Sequence, residues 1–223
     1  MKALVLFSGG VDSTTCLGMA IEKYGREQVT ALSVFYGQKH KKEMEAAKQI
    51  AVYYQVEHLQ LDLERIFQYS NCALLSHSDQ DIPKEDYASK IADAEGKPVS
   101  TYVPFRNGLF LASAASIGLS KGCDVIYYGA HRDDAAGAAY PDCSKEFYQA
   151  MNQAVLEGSE GQIRLEAPFI EWTKAEVVRK GLEINVPFKM TWSCYLGGEK
   201  PCGICGTCRD RAAAFAENGI LDI

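Results

Sequence analysis

Two serines, two glycines and an aspartate stand together near the start of the chain, in the order Ser8-Gly9-Gly10-Val11-Asp12-Ser13. A glycine pair lets the backbone approach a ligand closely and turn its N–H groups outward. Serine hydroxyls add hydrogen-bond donors, and a helix that begins beside them adds a partial positive charge at its N-terminus. These residue types at this spacing are typical of a segment that binds phosphate, which we call the phosphate loop (residues 8–13).

The spacing excludes two common nucleotide-binding loops. It lacks the lysine of G-x-x-x-x-G-K-[ST] and the third glycine of G-x-G-x-x-G. The string SGGVDS instead resembles the pyrophosphate loop, SGGxDS, of enzymes that cleave ATP between its α- and β-phosphates and pass AMP to a substrate oxygen. The alternative is an ordinary Gly-Gly turn before a helix capped by Ser or Asp. The ATP-binding residues that the resemblance implies are Phe7, Ser8, Gly9, Gly10, Val11, Asp12, Ser13, Thr14, Thr15, Cys16 and Leu17.

Four cysteines crowd into one short segment, at Cys194, Cys202, Cys205 and Cys208. Their overlapping C-x-x-C pairs let the sulfurs face one ion, and four thiolates in a tetrahedron suit Zn²⁺ in a closed structural site. Such a site has no open position and should not generate a catalytic hydroxide. Because the other cysteines stand singly, the pattern favours a metal over disulfides. An iron–sulfur cluster and redox-active thiols are the alternatives.

Two basic residues stand where helical patterns begin. Arg106 follows an extended segment, and Lys174 follows Thr173, which forms the capping-box pattern T-x-x-E with Glu176. A lysine at a helix start opposes the helix dipole, and an arginine there can reach a phosphate. We therefore expect both side chains to contact phosphate groups. For Arg106 the alternative is an exposed side chain beside Asn107 as the N-cap.

A further polar cluster follows the strongest downstream strand pattern, at His131, Asp134, Tyr140 and Asp142. A long polar loop that is rich in small residues suits the binding of a planar heterocycle, because carboxylates accept hydrogen bonds from exocyclic amines and ring N–H groups. We expect these four residues to bind the substrate. The alternative for His131 is an ordinary core or surface histidine.

The hydrophobic pattern predicts the framework that positions these groups. Apolar runs predict strands at 3–7, 29–35, 56–61, 124–130 and 163–167. Helical periodicity predicts helices at 12–24, 39–54, 105–120, 144–157 and 173–182. Alternating β and α elements predict an α/β fold, a Rossmann-like doubly wound parallel sheet with helices on both faces. Ligands of such sheets bind at the carboxyl ends of the strands, where the phosphate loop falls.

Bulk properties limit the functions that remain. The 223 residues suit a single α/β domain, 1–223, in which 192–212 is an integral zinc-knuckle segment. A net charge of −6 disfavours nucleic acid as a partner. We predict a cytoplasmic protein with no membrane partner, because the sequence shows neither a long apolar run nor a signal-peptide pattern. Segment 70–104 interrupts the alternation, either to cover the active site, to contact a second subunit or as a plain surface insertion.

Several strings occur in one order along the chain: SGGVDSTTCL, VPFRNGLF, GAHRDD, YPDC, APFIEWTKAEV and the four-cysteine tail. Over about residues 2–212 this combination resembles the QueC family of 7-cyano-7-deazaguanine synthases. The resemblance implies an adenine nucleotide alpha hydrolase-like fold, one structural Zn²⁺ per chain, Mg²⁺ with ATP, and a homodimer. The chain departs from the family pattern at Phe105, at Ser144 and in a longer loop before Tyr140, where we expect the heterocycle to be selected.

The resemblance also implies a reaction in queuosine biosynthesis. A ligase of this family converts 7-carboxy-7-deazaguanine and ammonia to the nitrile through adenylated intermediates. Asp12, Arg106 and Lys174 would be its catalytic residues, with Asp12 orienting Mg²⁺ or its water. Ser8 and Ser13 would hold pyrophosphate, and the adenine would pack near residues 34–36.

Two other functions share parts of this pattern. Enzymes of tRNA thiolation or lysidine formation use the same loop, but they need a basic surface or an added tRNA-binding domain, and the sequence predicts neither. A non-catalytic zinc-knuckle binding module would use the Gly-Gly loop only as structure, and it would not release pyrophosphate from ATP.

Overall fold

The structure, a computed structural model, describes residues 1–83 and 98–221. Five short strands form one parallel sheet in the order β3-β2-β1-β4-β5. They are β1 (Ala3–Leu6), β2 (Val29–Phe35), β3 (Glu57–Asp62), β4 (Val125–Tyr127) and β5 (Arg164–Glu166). Strands β2 and β3 lie on one side of β1, and β4 and β5 lie on the other side. The strand order therefore reverses between β1 and β4, which is the topological switch point of the sheet.

Helices follow the strands as the sequence predicts, with two additions. The helices are α1 (Val11–Tyr24), α2 (Lys42–Tyr54), α3 (Glu64–Phe67), α4 (Arg106–Lys121), α5 (Lys145–Gly158), α6 (Lys174–Glu183) and α7 (Gly206–Glu217). The short α3 and the C-terminal α7 were not predicted. Helix α2 begins at Lys42 rather than at 39, because the preceding residues form a loop in which the Lys39 N–H donates to the Leu74 carbonyl at 2.9 Å. None of the described helices is long and apolar enough to cross a membrane.

Both faces of the sheet are covered by helices. Val5 points to one face, where it shares a buried cluster with Leu17 of α1 and Ile50 of α2. Its neighbour Leu4 points to the other face and shares a cluster with Leu111 of α4. Successive strand residues thus face opposite helical layers. The predicted doubly wound α/β fold is confirmed.

Helix α7 lies against α6 and the chain segment before the cysteines. Ala214 and Phe215 of α7 share a buried cluster with Val178 of α6. The guanidinium of Arg211 donates to Thr191 Oγ1 at 2.8 Å and to the Phe188 carbonyl at 3.1 Å. These contacts fix the position of the cysteine-rich segment relative to the phosphate loop.

The described flanks of segment 70–104 pack beside the end of β2. Leu74 and Leu75 are buried together with Tyr36, Phe67 and Val103. The central part, residues 84–97, lies outside the described residues, so the predicted role of this segment as a cover or a subunit contact stays a prediction.

Candidate functional site

The phosphate loop leaves β1 and passes directly over the first turn of α2. Gly9 has a φ of +83°, and a Cβ built on it would lie 2.6 Å from the Ala47 nitrogen and 2.7 Å from the Glu43 carbonyl oxygen. A side chain fits neither this backbone conformation nor this space. Glycine is therefore required here by the packing of α2 against the loop.

The two serines of the loop bind each other rather than cap the helix. The Ser8 N–H donates to Ser13 Oγ at 3.2 Å, and the two hydroxyl oxygens lie 3.1 Å apart. Gly10 is the N-cap of α1, and no side chain caps that end. The helix cap by Ser or Asp that the alternative assumed is thus wrong. The helix start retains N–H groups for a ligand such as phosphate.

Four charged or titratable side chains meet at the switch point. The carboxylate of Asp12, in the first turn of α1, pairs with the ammonium of Lys174 at the start of α6. His131, which follows β4, places Nε2 3.9 Å from Asp12 Oδ1 and 3.4 Å from Asp134 Oδ2. Three predicted strand-end segments therefore converge on one group of side chains, which we call the switch-point cluster (Asp12, His131, Asp134 and Lys174).

The electrostatics of the cluster favour a charged Asp12 beside unsatisfied polar atoms. Burial alone would raise the pKa of Asp12, but Lys174 and His131 outweigh it and hold the pKa below its usual range. Asp12 Oδ1 and His131 Nδ1 are buried, and neither has a hydrogen-bond partner in the described part of the chain. Nearly all buried polar atoms in native proteins have a hydrogen-bond partner. These two atoms mark a position where a ligand would complete the hydrogen bonding.

The capping box fixes the position of Lys174. Thr173 Oγ1 accepts from the Glu176 N–H at 3.2 Å, and the Glu176 carboxylate accepts from the Thr173 N–H at 2.8 Å, which confirms the predicted motif. The Lys174 N–H in turn donates to the Asp133 carboxylate at 2.8 Å. The loop after β4 is thereby joined to the first turn of α6.

Arg106 lies in a second cluster, at the end of β2. Its guanidinium carbon is 5.1 Å from the centre of the Tyr36 ring, and Nη1 donates to the Tyr36 hydroxyl at 3.3 Å. The N-cap of α4 is Phe105, in a left-handed conformation with a φ of +54°. The alternative of an exposed Arg106 beside Asn107 as the N-cap is wrong. The structure does not place Arg106 in the switch-point cluster beside Lys174.

The four predicted substrate residues separate into two pairs. Asp134 and His131 belong to the switch-point cluster. Tyr140 is buried with its hydroxyl 2.6 Å from Thr101 Oγ1, and the buried Asp142 accepts from the Asn107 N–H at 2.8 Å. Burial raises the pKa of Asp142, although the Asn107 N–H and Arg106 oppose the shift. Asp142 thus braces the start of α4 while Tyr140 contacts the segment before it, and the substrate-binding roles of all four residues stay predictions.

The four C-terminal cysteines converge on one point. The sulfurs of Cys194, Cys202, Cys205 and Cys208 all lie within 4.8 Å of one another. The N–H groups of Ile204 and Cys205 donate to Cys202 Sγ at 3.4 and 3.3 Å. Burial opposes the thiolate form of Cys202, but these donors and the neighbouring thiols lower its pKa to about 7. A tetrahedral cation with four thiolate ligands fits this arrangement.

The cysteine-rich segment also contacts the phosphate loop directly. The N–H of Trp192 donates to the Gly9 carbonyl at 3.0 Å. Thr207 Oγ1, on the first turn of α7, donates to the Ser193 carbonyl at 2.7 Å. The Gly9 carbonyl of the phosphate loop is thus bound by Trp192, which lies in the segment that the cysteines hold in place.

A small cleft beside the loop contains a carboxylate that the sequence analysis did not single out. Glu43, in the first turn of α2, lines this cleft; its carbonyl oxygen lies beside Gly9, and the charge of Arg106 acts on its carboxylate. Its sequence signal was an acidic residue just after a strand-end loop, which is also what the dipole of any helix favours. The residues that line the cleft are Tyr36, Gln38, Lys39, His40, Glu43, Leu74 and Tyr195.

Comparisons with known proteins agree with these findings. The family model of the queuosine biosynthesis protein QueC matches residues 2–219. A relative from Archaeoglobus fulgidus, named 7-cyano-7-deazaguanine synthase, is 40% identical over 100% of this chain and 89% of its own. Relatives with the same name from Oceanobacillus iheyensis and Thermoplasma acidophilum are 39% and 42% identical over 99% of this chain, and over 96% and 90% of their own.

A solved structure of NMN synthetase from Francisella tularensis shares the fold. It matches with a TM-score of 0.50 at 14% sequence identity, over 98% of this chain and 77% of that chain. At this identity the likeness concerns the fold alone. The match to the family model runs from β1 to α7, which confirms the predicted family. The chain is an enzyme of the QueC family of queuosine biosynthesis proteins.

Proposed function

We propose that this protein converts 7-carboxy-7-deazaguanine and ammonia to 7-cyano-7-deazaguanine with ATP. Membership of the QueC family and the name shared by the relatives support the proposal. The observation that carries it is the meeting of the phosphate loop with the switch-point cluster, where Asp12 and His131 each leave a buried polar atom for a ligand.

The first step is the adenylation of the substrate carboxylate. A carboxylate oxygen attacks the α-phosphorus of ATP, and the bond to pyrophosphate breaks. The phosphate loop and the N-terminus of α1 stabilise the leaving pyrophosphate, while Lys174 and Arg106 neutralise charge that develops on the phosphates. To contact a phosphate, the Lys174 ammonium must leave the carboxylate of Asp12, its partner in this structure.

Two further steps complete the nitrile. Ammonia attacks the adenylated carbonyl, AMP leaves, and one proton is released from the nitrogen to give the amide. The amide oxygen then attacks the α-phosphorus of a second ATP and displaces pyrophosphate, and loss of AMP with two protons leaves the carbon–nitrogen triple bond. Asp134 Oδ2 lies 3.4 Å from His131 Nε2, and in this proposal the Asp134 carboxylate accepts hydrogen bonds from the amine and N–H groups of the heterocycle.

The residues present fit the two metal ions that the proposal includes, one for ATP and one structural. Asp12, with an oxygen that no described residue hydrogen-bonds, would hold Mg²⁺ or its water, and the ion would supply positive charge at the phosphates. The four cysteines would hold Zn²⁺ as a closed structural site, without a role in the chemistry.

The proposal extends to assembly and location. Val52 and Tyr53 expose 70% and 56% of their surface on the outer side of α2, and Val52 shares a cleft with Met190. Exposed apolar side chains of this kind support a homodimer, which light scattering would test. A cysteine site of the zinc type and eight cysteines without disulfides are typical of the cytoplasm, so we propose that location.

The activity is tested by incubating the protein with ATP, Mg²⁺, ammonium and 7-carboxy-7-deazaguanine and detecting the nitrile by mass spectrometry. We expect AMP, pyrophosphate and the nitrile to appear together, with the amide as an intermediate. Release of AMP and pyrophosphate without the nitrile would overturn the assignment of the substrate and retain the adenylation chemistry. No pyrophosphate release under any condition would favour the non-catalytic alternative.

A further inference from the structure

Glu43 lies beside the phosphate loop, and its carboxylate accepts no hydrogen bond from the described chain. Its main chain packs against Gly9, and its side chain is only partly exposed. The carboxylate forms no salt bridge with the described chain, and Arg106 acts on it from beyond salt-bridge distance. A partly buried carboxylate without a hydrogen-bond donor costs stability, so its presence needs another explanation.

The surroundings of Glu43 suit a small cation. The cleft has room for about one water-sized molecule, which is also the size of ammonium. Two tyrosine side chains, those of Tyr36 and Tyr195, line it together with the carboxylate. A carboxylate with aromatic rings is the chemistry that binds ammonium groups.

The position of the cleft relates it to the reaction. Tyr36 follows β2, at the carboxyl edge of the sheet where the nucleotide binds, and Gly9 lies directly against the backbone of Glu43. Because the adenylated carbonyl must lie near the phosphate loop, a nitrogen donor held at Glu43 starts close to the atom that it attacks.

We propose that Glu43 is the residue that binds ammonium and accepts its proton. In this step one N–H bond of ammonium breaks and the proton passes to a Glu43 oxygen, so that the nitrogen lone pair becomes available. The C–N bond then forms, the C–O bond to AMP breaks, and the second proton leaves with AMP or water. The inference rests on the proposed function, since it assigns the acceptor for the amination step of that reaction.

The protonation behaviour of the carboxyl is consistent with this role. Burial raises the pKa of Glu43 to about 7, and Arg106 opposes the shift. A base with a pKa close to the working pH both accepts and releases a proton readily. The titratable and charged groups around it are Arg106 of α4, Tyr36 after β2, Tyr195 of the cysteine-rich segment, and Lys39 and His40 before α2. Lys39 is turned away and donates to the Gln80 carbonyl at 2.7 Å.

The test compares Glu43→Gln with wild type in two separate reactions. Exchange of labelled pyrophosphate into ATP with the carboxylate substrate reports adenylation, and formation of amide and nitrile reports amination. We expect Glu43→Gln to keep exchange within about threefold, to lose amination by about 100-fold, and to need more ammonium for half-saturation. The wild-type amination rate should change with pH near pH 7, and this pH dependence should disappear in Glu43→Gln. Glu43→Asp should restore part of the amination rate.

Glu45→Gln serves as the matched control, because Glu45 lies on the same helix and its side chain is 60% exposed. It should leave both reactions unchanged. Loss of exchange and amination by the same factor in a Glu43→Gln protein with a native circular dichroism spectrum would overturn the inference, since Glu43 would then only support Arg106. A higher Mg²⁺ requirement would also overturn it. If wild type forms no nitrile at all, the proposed function fails, whereas an unchanged ammonium dependence in Glu43→Gln rejects the inference alone.

Discussion

At Gly9 the phosphate loop and α2 approach more closely than a side chain permits. We expect Gly9→Ala to lower the free energy of unfolding by about 2–5 kcal/mol, because alanine adds both left-handed strain and a clash with two backbone atoms of α2. Urea unfolding measures this loss. The variant should also bind ATP weakly, since relief of the clash displaces the loop.

Gly122→Ala separates the two contributions. Gly122 also has a positive φ, of +67°, but nothing lies within 4 Å of a Cβ built there. This control should lose only about 1–2 kcal/mol and should keep its affinity for ATP. Equal losses in the two variants would mean that the contact with α2 is not the constraint.

The burial of Glu43 predicts that the free energy of unfolding depends on pH, an effect that can be measured without an activity assay. Burial raises the pKa of the Glu43 carboxyl to about 7 in the folded protein from an ordinary value of 4.5, so the folded state holds the proton more tightly than the unfolded state. The resulting penalty is absent below pH 4.5 and complete above about pH 7. Glu43→Gln should therefore gain about 1–3 kcal/mol relative to wild type between about pH 5 and pH 8. Urea titrations across this range check the sign, and a difference that stays constant with pH would contradict it.

Residues with a distinctive type and spacing could be predicted from the sequence. The phosphate loop and the four cysteines are patterns that few other structures need. Glu43 could not be predicted, because a glutamate in the first turn of a helix is also favoured by the helix dipole. The partner of Arg106 could not be predicted either, since the stacking on Tyr36 joins residues that are distant in the sequence.

At the scale of elements, the cap of α6 determines where Lys174 lies. We expect Thr173→Ala to cost about 1 kcal/mol of stability and to lower pyrophosphate exchange by about threefold to tenfold, because the first turn that carries Lys174 loses its fixed position. Thermal unfolding and exchange assays measure the two effects.

Ser144→Ala is the matched control for this element. Ser144 caps α5 by accepting from the Phe147 N–H at 3.1 Å, so its loss should cost a similar amount of stability. Exchange should stay unchanged, because α5 carries no residue of the switch-point cluster. A similar fall in exchange for both variants would show that general destabilisation, rather than the position of Lys174, is the cause.

The elements themselves were largely predictable because each strand is a short apolar run followed by helical periodicity. Their ends were less so: β4 was predicted to extend to residue 130 and ends at Tyr127. Helix α7 was missed, since its packing on α6 uses only a few apolar residues such as Ala214 and Phe215. So few apolar residues do not predict a helix from the sequence alone, because the packing of α7 on α6 is a contact that only the structure shows.

For the whole molecule, the cysteine site should contribute to both stability and nucleotide binding. Metal analysis should find about one zinc per chain, and a chelator should lower the midpoint of thermal unfolding by about 10 °C or more. The affinity for ATP should fall as well, because Trp192 holds the Gly9 carbonyl.

Added zinc should restore both properties to the chelated protein. Finding iron and acid-labile sulfide in the purified protein would contradict the zinc assignment and support an iron–sulfur cluster instead. A chelated protein that unfolds at a lower temperature but binds ATP with its original affinity would show that the cysteine site does not support the phosphate loop.

The hydrogen bond from Trp192 to Gly9 also bears on how the protein is made. The phosphate loop is synthesised before β2, β3, β4 and β5, yet its Gly9 carbonyl is held by a residue that follows all five strands. A growing chain that has formed the sheet still lacks this partner and the cysteines that position it. The loop therefore reaches its final conformation only after residues 192–208 have been synthesised, and we expect a chain that stops before them to bind ATP weakly.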